Sequence, residues 1–123
     1  GYDISDSLGM ESSLKALKMA IEGKNLTGLI HHSDRGLQYC SNSYTDLLIK
    51  SGIQISMSEK GNPYENAVAE RVNGILKEEF RLSETFRTKE LAYKAVNEAI
   101  NTYNQLRPHM SIDYMTPNQK YAA

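Results

Sequence analysis

Two acids in this sequence stand at a spacing that suggests chemistry. Asp34 lies in HHSDRG and Glu70 in NAVAERVNG, with thirty-five residues between them. Lys77 follows Glu70 by seven positions. On a helix, positions 70, 73, 74 and 77 share one face. That face carries a carboxylate (Glu70), an amide (Asn73), a gap (Gly74) and an ammonium (Lys77). A gap beside a carboxylate lets a bulky ligand approach. The set suits phosphoryl transfer assisted by two metal ions. Mg²⁺ prefers carboxylate oxygens and keeps several of its waters. Two ions about 4 Å apart can hold the attacking and leaving oxygens of an in-line displacement. Such a site needs about three carboxylates on separate rigid elements, of which two are visible here. A lysine nearby would meet phosphate as a point charge. Plainer readings exist for both acids. An acid after a strand is often a turn or cap residue, and a helical Glu is usually a solvated surface group.

The elements that must position these groups can be read from periodicity. GYDIS is strand-like. Met10, Leu14, Leu17 and Ile21 fall at helical spacing, and Gly23 closes that helix. LTGLIHHSD reads as a buried strand with Leu29 and Ile30 in its apolar part and Asp34 at its tip. SNSYTDLLIKSG reads as a helix with Asn42 and Ser43 as capping candidates and Gly52 just past its end. IQISMS alternates like a strand. In EKGNPYEN, Asn62 can cap, Pro63 suits the first helical position and Glu65 fits a capping box, so a helix is expected from Pro63 to about Phe80. The last long helix is expected from near Thr88 to just before Pro108, followed by an irregular tail. The order is strand-helix-strand-helix-strand-helix-helix, which predicts an α/β fold with parallel neighbours. Ligands of such sheets gather at the carboxyl ends of strands, where Asp34 is placed.

Composition narrows the classes. The chain has 123 residues, about one small domain, with 40% apolar and 24% charged residues. Its net charge is −1, and neither half is basic: residues 1–60 hold six Lys/Arg against seven Asp/Glu, and residues 61–123 hold eight against eight. Nucleic-acid binding therefore finds no support in overall charge. The single Cys40 suits a reducing cytoplasm and argues against a disulfide scaffold. No apolar run approaches a membrane span. One Cys and three His do not form a tetrahedral zinc set at these spacings. An opening of Gly1-Tyr2-Asp3 rather than Met points to a piece of a longer polypeptide.

Three blocks carry a resemblance: HHSDRGLQYCSNSY, SGIQISMSEKGNPYENAVAERVNGILKEEF and YNQLRPHMSIDYMTP. Together they resemble the integrase core of bacterial insertion-sequence transposases. In these elements the second reading frame encodes an Asp-Asp-Glu recombinase related to retroviral integrases. The likeness runs from Tyr2 to Tyr121. It implies a ribonuclease-H-like fold, with residues 1–123 as one partial catalytic core domain. Asp34 would match the second catalytic, metal-binding acid and Glu70 the third. Lys77 would match the basic residue that contacts the element's terminal DNA. Gly61 and Asn62 would lie in a mobile loop before the catalytic helix. The implied reaction is Mg²⁺-dependent DNA strand cleavage and strand transfer, with Mn²⁺ as a substitute and two ions in the complete site. By the resemblance, the family's first Asp and first two strands would lie upstream of this sequence, since Asp3 and Asp6 do not sit in the context of that Asp. The fragment is thus expected to be inactive alone. The missing strands would leave LTGLIHHSD as an open edge, which predicts a homo-oligomer. The implied partners are the element's DNA ends, target DNA and an upstream helix-turn-helix segment, in a bacterial cytoplasm.

Other residues have two readings each. Asn66 and Arg71 suit contacts to DNA backbone or a solvated face. Tyr64 suits base stacking or packing in a first helical turn. Arg35 suits a phosphate and a carboxylate alike. His31 and His32 read mainly as local hydrogen-bonding groups. In the Arg107-Pro108-His109 run, Pro108 stops the helix and Arg107 is expected to satisfy its last carbonyls. The eight tyrosines lack the Arg and His cluster of a tyrosine recombinase. Two alternatives to the transposase remain: a ribonuclease-H-like hydrolytic nuclease or resolvase, and a non-catalytic module that docks DNA or a subunit.

Overall fold

The structure is a computed structural model that describes residues 1–7, 9–59 and 63–123. Helix α1 spans Met10–Ile21. Its Leu17 is buried, with Leu14 and Ile21 packed beside it, as the helical spacing predicts. The chain leaves the helix through Gly23 at φ +66°. A turn closed by the Leu29 N–H on the Leu26 carbonyl follows, with Gly28 at φ +73°. That turn consumes the first half of LTGLIHHSD, so strand β1 is only Ile30–Ser33.

Helix α2 spans Asn42–Lys50. Its N-cap is Ser41, one residue before the expected caps, and the Ser41 hydroxyl donates to the Gln38 carbonyl rather than accepting from the helix. The far end forms a Schellman motif. The Gly52 N–H donates to the Ile49 carbonyl and the Ile53 N–H to the Leu48 carbonyl. Gly52 takes φ +70°, a conformation that costs a side-chain-bearing residue about 1–2 kcal/mol. The motif brings Leu48 and Ile53 together, and both enter the core with Leu17 and Tyr44. Strand β2, Gln54–Met57, pairs in parallel with β1 in the register Ile30–Gln54 to Ser33–Met57.

A 3₁₀ turn covers Pro63–Asn66, and helix α3 runs Ala67–Glu78. Arg81 turns the chain away at φ +58°. Helix α4 spans Lys89–Leu106, its Thr88 hydroxyl accepting from the Leu91 N–H. Arg107 ends it directly before Pro108. The chain clusters into two compact units, Gly1–Ala69 and Glu70–Ala123.

Three expectations need correction. GYDIS forms no strand, because the sheet has two strands among the described residues and GYDIS joins neither. Period-two alternation is local, whereas a strand exists only when a neighbour takes its backbone groups. Strand β1 is buried only at its end: Ser33 is buried, but Ile30 is 58% exposed and Leu29 is also exposed, since a strand pair has two open sides. The tail is ordered locally. It forms a 3₁₀ turn at Met110–Ile112 and helix α5 at Pro117–Ala122. Thr116 and Gln119 make a full capping box for α5, and Pro117 takes its first position.

Candidate active site

The parallel pairing of β1 delivers Asp34 directly past the carboxyl end of the strand. Asp34 is exposed. Its Oδ1 accepts from the Gly36 N–H at 2.9 Å, a two-residue Asx turn. A Cβ on Gly36 would lie 3.0 Å from that oxygen, so glycine permits the close return. The second oxygen, Oδ2, has no protein partner among the described residues. Arg35 is anchored differently from either expected role: its Nε donates to the Ser58 carbonyl at 3.0 Å, beyond the end of β2.

The two histidines are held locally, as expected. His31 Nε2 lies 3.1 Å from the Tyr44 hydroxyl, and His32 Nδ1 lies 2.8 Å from the Ser56 hydroxyl across the β1–β2 pair. The Tyr44 ring meets those of His31 and Tyr39 edge to face, with centroids 5.5 and 5.4 Å apart, and the His31 and Tyr39 rings are tilted, 6.2 Å apart. Burial pushes the His31 pKa down and raises that of Tyr44 to about 12. Tyr64 and Asn66 lie in the 3₁₀ turn, Tyr64 86% exposed and Asn66 half-buried. Glu65 Oε2 accepts from the Glu59 N–H at 2.7 Å, and the capping box expected between Glu65 and Asn62 lies outside the described residues. Gly61 and Asn62, the expected mobile loop and cap, lie outside the described residues.

Glu70 stands in the first turn of α3, where the helix dipole favours negative charge. Its carboxylate is exposed and has no hydrogen bond or ion pair among the described residues. Asn73 and Lys77 are exposed on the same face. A Cβ at Gly74 would meet nothing within 4 Å, so no neighbour among the described residues demands glycine there. Arg71, next to Glu70, is exposed. No group of three or more His, Cys, Asp or Glu side chains converges as a metal site among the described residues. What the geometry supplies is two solvent-facing carboxylates, one past a strand end and one on a helix, each with an oxygen that no described residue engages.

Two profiles of the family described as "Integrase core domain" match this sequence, one over residues 51–117 and one over residues 1–63. The chain belongs to the integrase core family. This integrase core is 38% identical over 118 residues to an insertion element IS600 uncharacterized 31 kDa protein of Shigella sonnei, covering 94% of the chain and 43% of the relative. It is 42% identical over 97 residues to a transposase for insertion sequence element IS904 of Lactococcus lactis, covering 76% of the chain and 38% of the relative. The chain thus spans about four tenths of these curated relatives.

Among solved structures, the catalytic core domain of BIV integrase matches with a TM-score of 0.71 at 22% identity, covering 98% of this chain and 75% of that one. The HTLV-2 integrase catalytic core in complex with magnesium, a trimeric form, matches with 0.65 at 24% identity, covering 89% and 68%. The integrase core therefore has the α/β, retroviral-integrase-like fold that the resemblance implied. Among its described residues no helix is long and apolar enough to cross a membrane.

One pair of this integrase core departs from the role expected of Arg107. Arg107 does not turn to the carbonyls of α4. It grips the Glu79 carboxylate twice, Nε to Oε2 at 2.8 Å and Nη2 to Oε1 at 2.7 Å. Glu79 is twenty-eight positions away and carried no local signal.

Proposed function

We propose that this chain is part of the catalytic core of a DNA transposase, with Asp34 and Glu70 as metal-ligating catalytic acids. One observation carries the reading: both residues present exposed carboxylates with an oxygen that no described residue engages, at the two positions where the family resemblance expects its acids. Hard, charged oxygen donors fit Mg²⁺ or Mn²⁺. When bound, such ions polarise the phosphoryl oxygens and activate the attacking oxygen. The protein's own contribution is to hold the acids on rigid mounts. The Asx turn at Gly36 fixes Asp34, and the first turn of α3 fixes Glu70.

DNA contacts are assigned to Lys77, Asn73, Asn66, Arg71, Arg35 and Tyr64. Lys77 and Asn73 share a face with Glu70. The gap at Gly74 supports close approach of a phosphate backbone. Arg35 keeps its Nη groups for phosphate while Nε holds the Ser58 carbonyl. The parent polypeptide would act on element ends and target DNA in a bacterial cytoplasm, with an upstream helix-turn-helix segment. A homo-oligomer is supported by the exposed Leu29 and Ile30 at the strand pair. Sedimentation equilibrium should show reversible self-association, and a monomer at the highest attainable concentration would count against it.

The test uses the parent transposase. Asp34→Asn and Glu70→Gln should each lower strand transfer by about a hundredfold or more with Mg²⁺. The chain itself should show Mn²⁺-induced broadening of the Asp34 and Glu70 NMR signals. Intact transfer in both variants would overturn the reading in favour of a docking module. Cleavage without joining would favour the hydrolytic nuclease.

A further inference from the structure

Arg107 is the C-cap of α4, and Glu79 lies one residue past α3. Their two parallel bonds form the fork-to-carboxylate geometry that fixes direction as well as distance. Behind the guanidinium, Nη1 lies 3.2 Å from His109 Nδ1 and 3.4 Å from the Pro108 carbonyl. A guanidinium can only donate, so Nδ1 accepts. His109 is thereby fixed as the neutral ring with its proton on Nε2. That Nε2 is buried with no partner among the described residues. The ring also stands edge-on to Tyr103 of α4, centroids 4.9 Å apart. Arg107 is thus held between the end of α3 and the run that follows α4.

The need for such a hold is visible in the packing. Helix α4 packs against α5, whereas α3 buries a single apolar side chain, Ile75, among the described residues. A partly exposed ion pair adds little to stability. What a two-point grip does supply is orientation. A helix rotates by about 100° per residue, so a loose α3 would carry its functional face away by small turns.

We propose that the Arg107–Glu79 clamp, backed by His109, is a positioning device that sets the rotation of α3 and so the presentation of Glu70, Asn73 and Lys77. The inference rests on the proposed transposase reading of Glu70. Arg107 and Glu79 are positioning residues and touch no substrate in this scheme.

The experiment pairs two variants with two readouts. Arg107→Lys keeps the charge and loses the fork, and Glu79→Gln keeps the shape and loses the charge. In the parent transposase each should lower kcat for strand transfer about tenfold, with KM for DNA unchanged within about twofold. In the chain itself, ¹⁵N NMR should show His109 as a single Nε2–H tautomer, becoming a mixture in Arg107→Lys. Circular dichroism should match the wild type in both. A wild-type kcat in both variants, or a His109 tautomer unaffected by Arg107→Lys, would overturn the clamp. If instead Asp34→Asn and Glu70→Gln retain transfer, the transposase reading fails, and the tautomer result still decides whether the clamp exists.

Discussion

In Gly1–Ala69, Leu48 is 1% exposed and lies among Leu17, Tyr44 and Ile53, with five further apolar side chains packed around them. In Glu70–Ala123 the buried apolar side chains are Ile75 and Ala99 alone among the described residues. What organises that second unit is directional: the Thr88 cap, the Thr116–Gln119 capping box and the Arg107–Glu79 pair. Burying one Leu contributes about 1.5–3 kcal/mol, whereas one cap contributes about 1 kcal/mol. The first unit thus carries its acid on a scaffold fixed by packing. The second carries its acid on a helix fixed largely by hydrogen bonds, which lose strength steeply when geometry slips.

The largest expected effect attacks the packed side. Leu48→Ala should cost about 2–5 kcal/mol, read by urea denaturation and by faster amide exchange in α2 and β1. Alkali should act on the same unit. The Tyr44 pKa is raised from 10.0 to about 12 in the fold, so its stabilising effect is complete below pH 10 and lost as pH rises through about 12. That limb should amount to about 2 kcal/mol, and ultraviolet titration of wild type against Tyr44→Phe should show the Tyr44 tyrosinate forming only at raised pH.

Gly52→Ala should cost about 1–2 kcal/mol, because the strain of φ +70° is unrelieved although the site has room for a Cβ. On the directional side, Thr116→Ala should cost about 1 kcal/mol and raise exchange in α5 selectively. Gly74→Ala sharpens the contrast from the other direction. It should stabilise α3 by about 0.5–1 kcal/mol while weakening DNA binding by the parent protein. If binding is unchanged, the gap has no role in approach.

Acid separates the units less cleanly. Glu79 is held below its ordinary value of 4.5 chiefly by its hydrogen bond to Arg107. Its contribution is therefore present above pH 4.5 and lost as pH falls through the lowered value. His31 and His109, both pushed down by burial, add an earlier loss beginning below 6.5, because the unfolded chain takes their protons more readily.

The legible parts of the molecule were those written locally. Gly52 with Leu48 and Ile53 announces a Schellman motif, and Thr88 and Pro108 bracket α4 in the sequence. Thr116-Pro117-Asn118-Gln119 announces α5 just as plainly, and reading the tail as irregular overlooked that signal. GYDIS shows the limit of periodicity, since its alternation is intrinsic but its pairing is not. As candidates, Asp34 and Glu70 were legible through spacing and family likeness. The mounts were less so: nothing near Asp34 in sequence reveals that Arg35 reaches Ser58, and nothing near Arg107 reveals Glu79.

One consequence is practical. Cys40 is the sole cysteine of the chain, it is exposed, and it stands six residues after Asp34 at the end of the same connection. A thiol-reactive fluorophore or spin label would attach there, and nowhere else, without any substitution. Its Sγ lies 3.9 Å from the Met57 sulfur at the end of β2, so the label would report on the rim where both strands end. Distances from that probe to Mn²⁺ or to labelled DNA would give the chain its own built-in ruler.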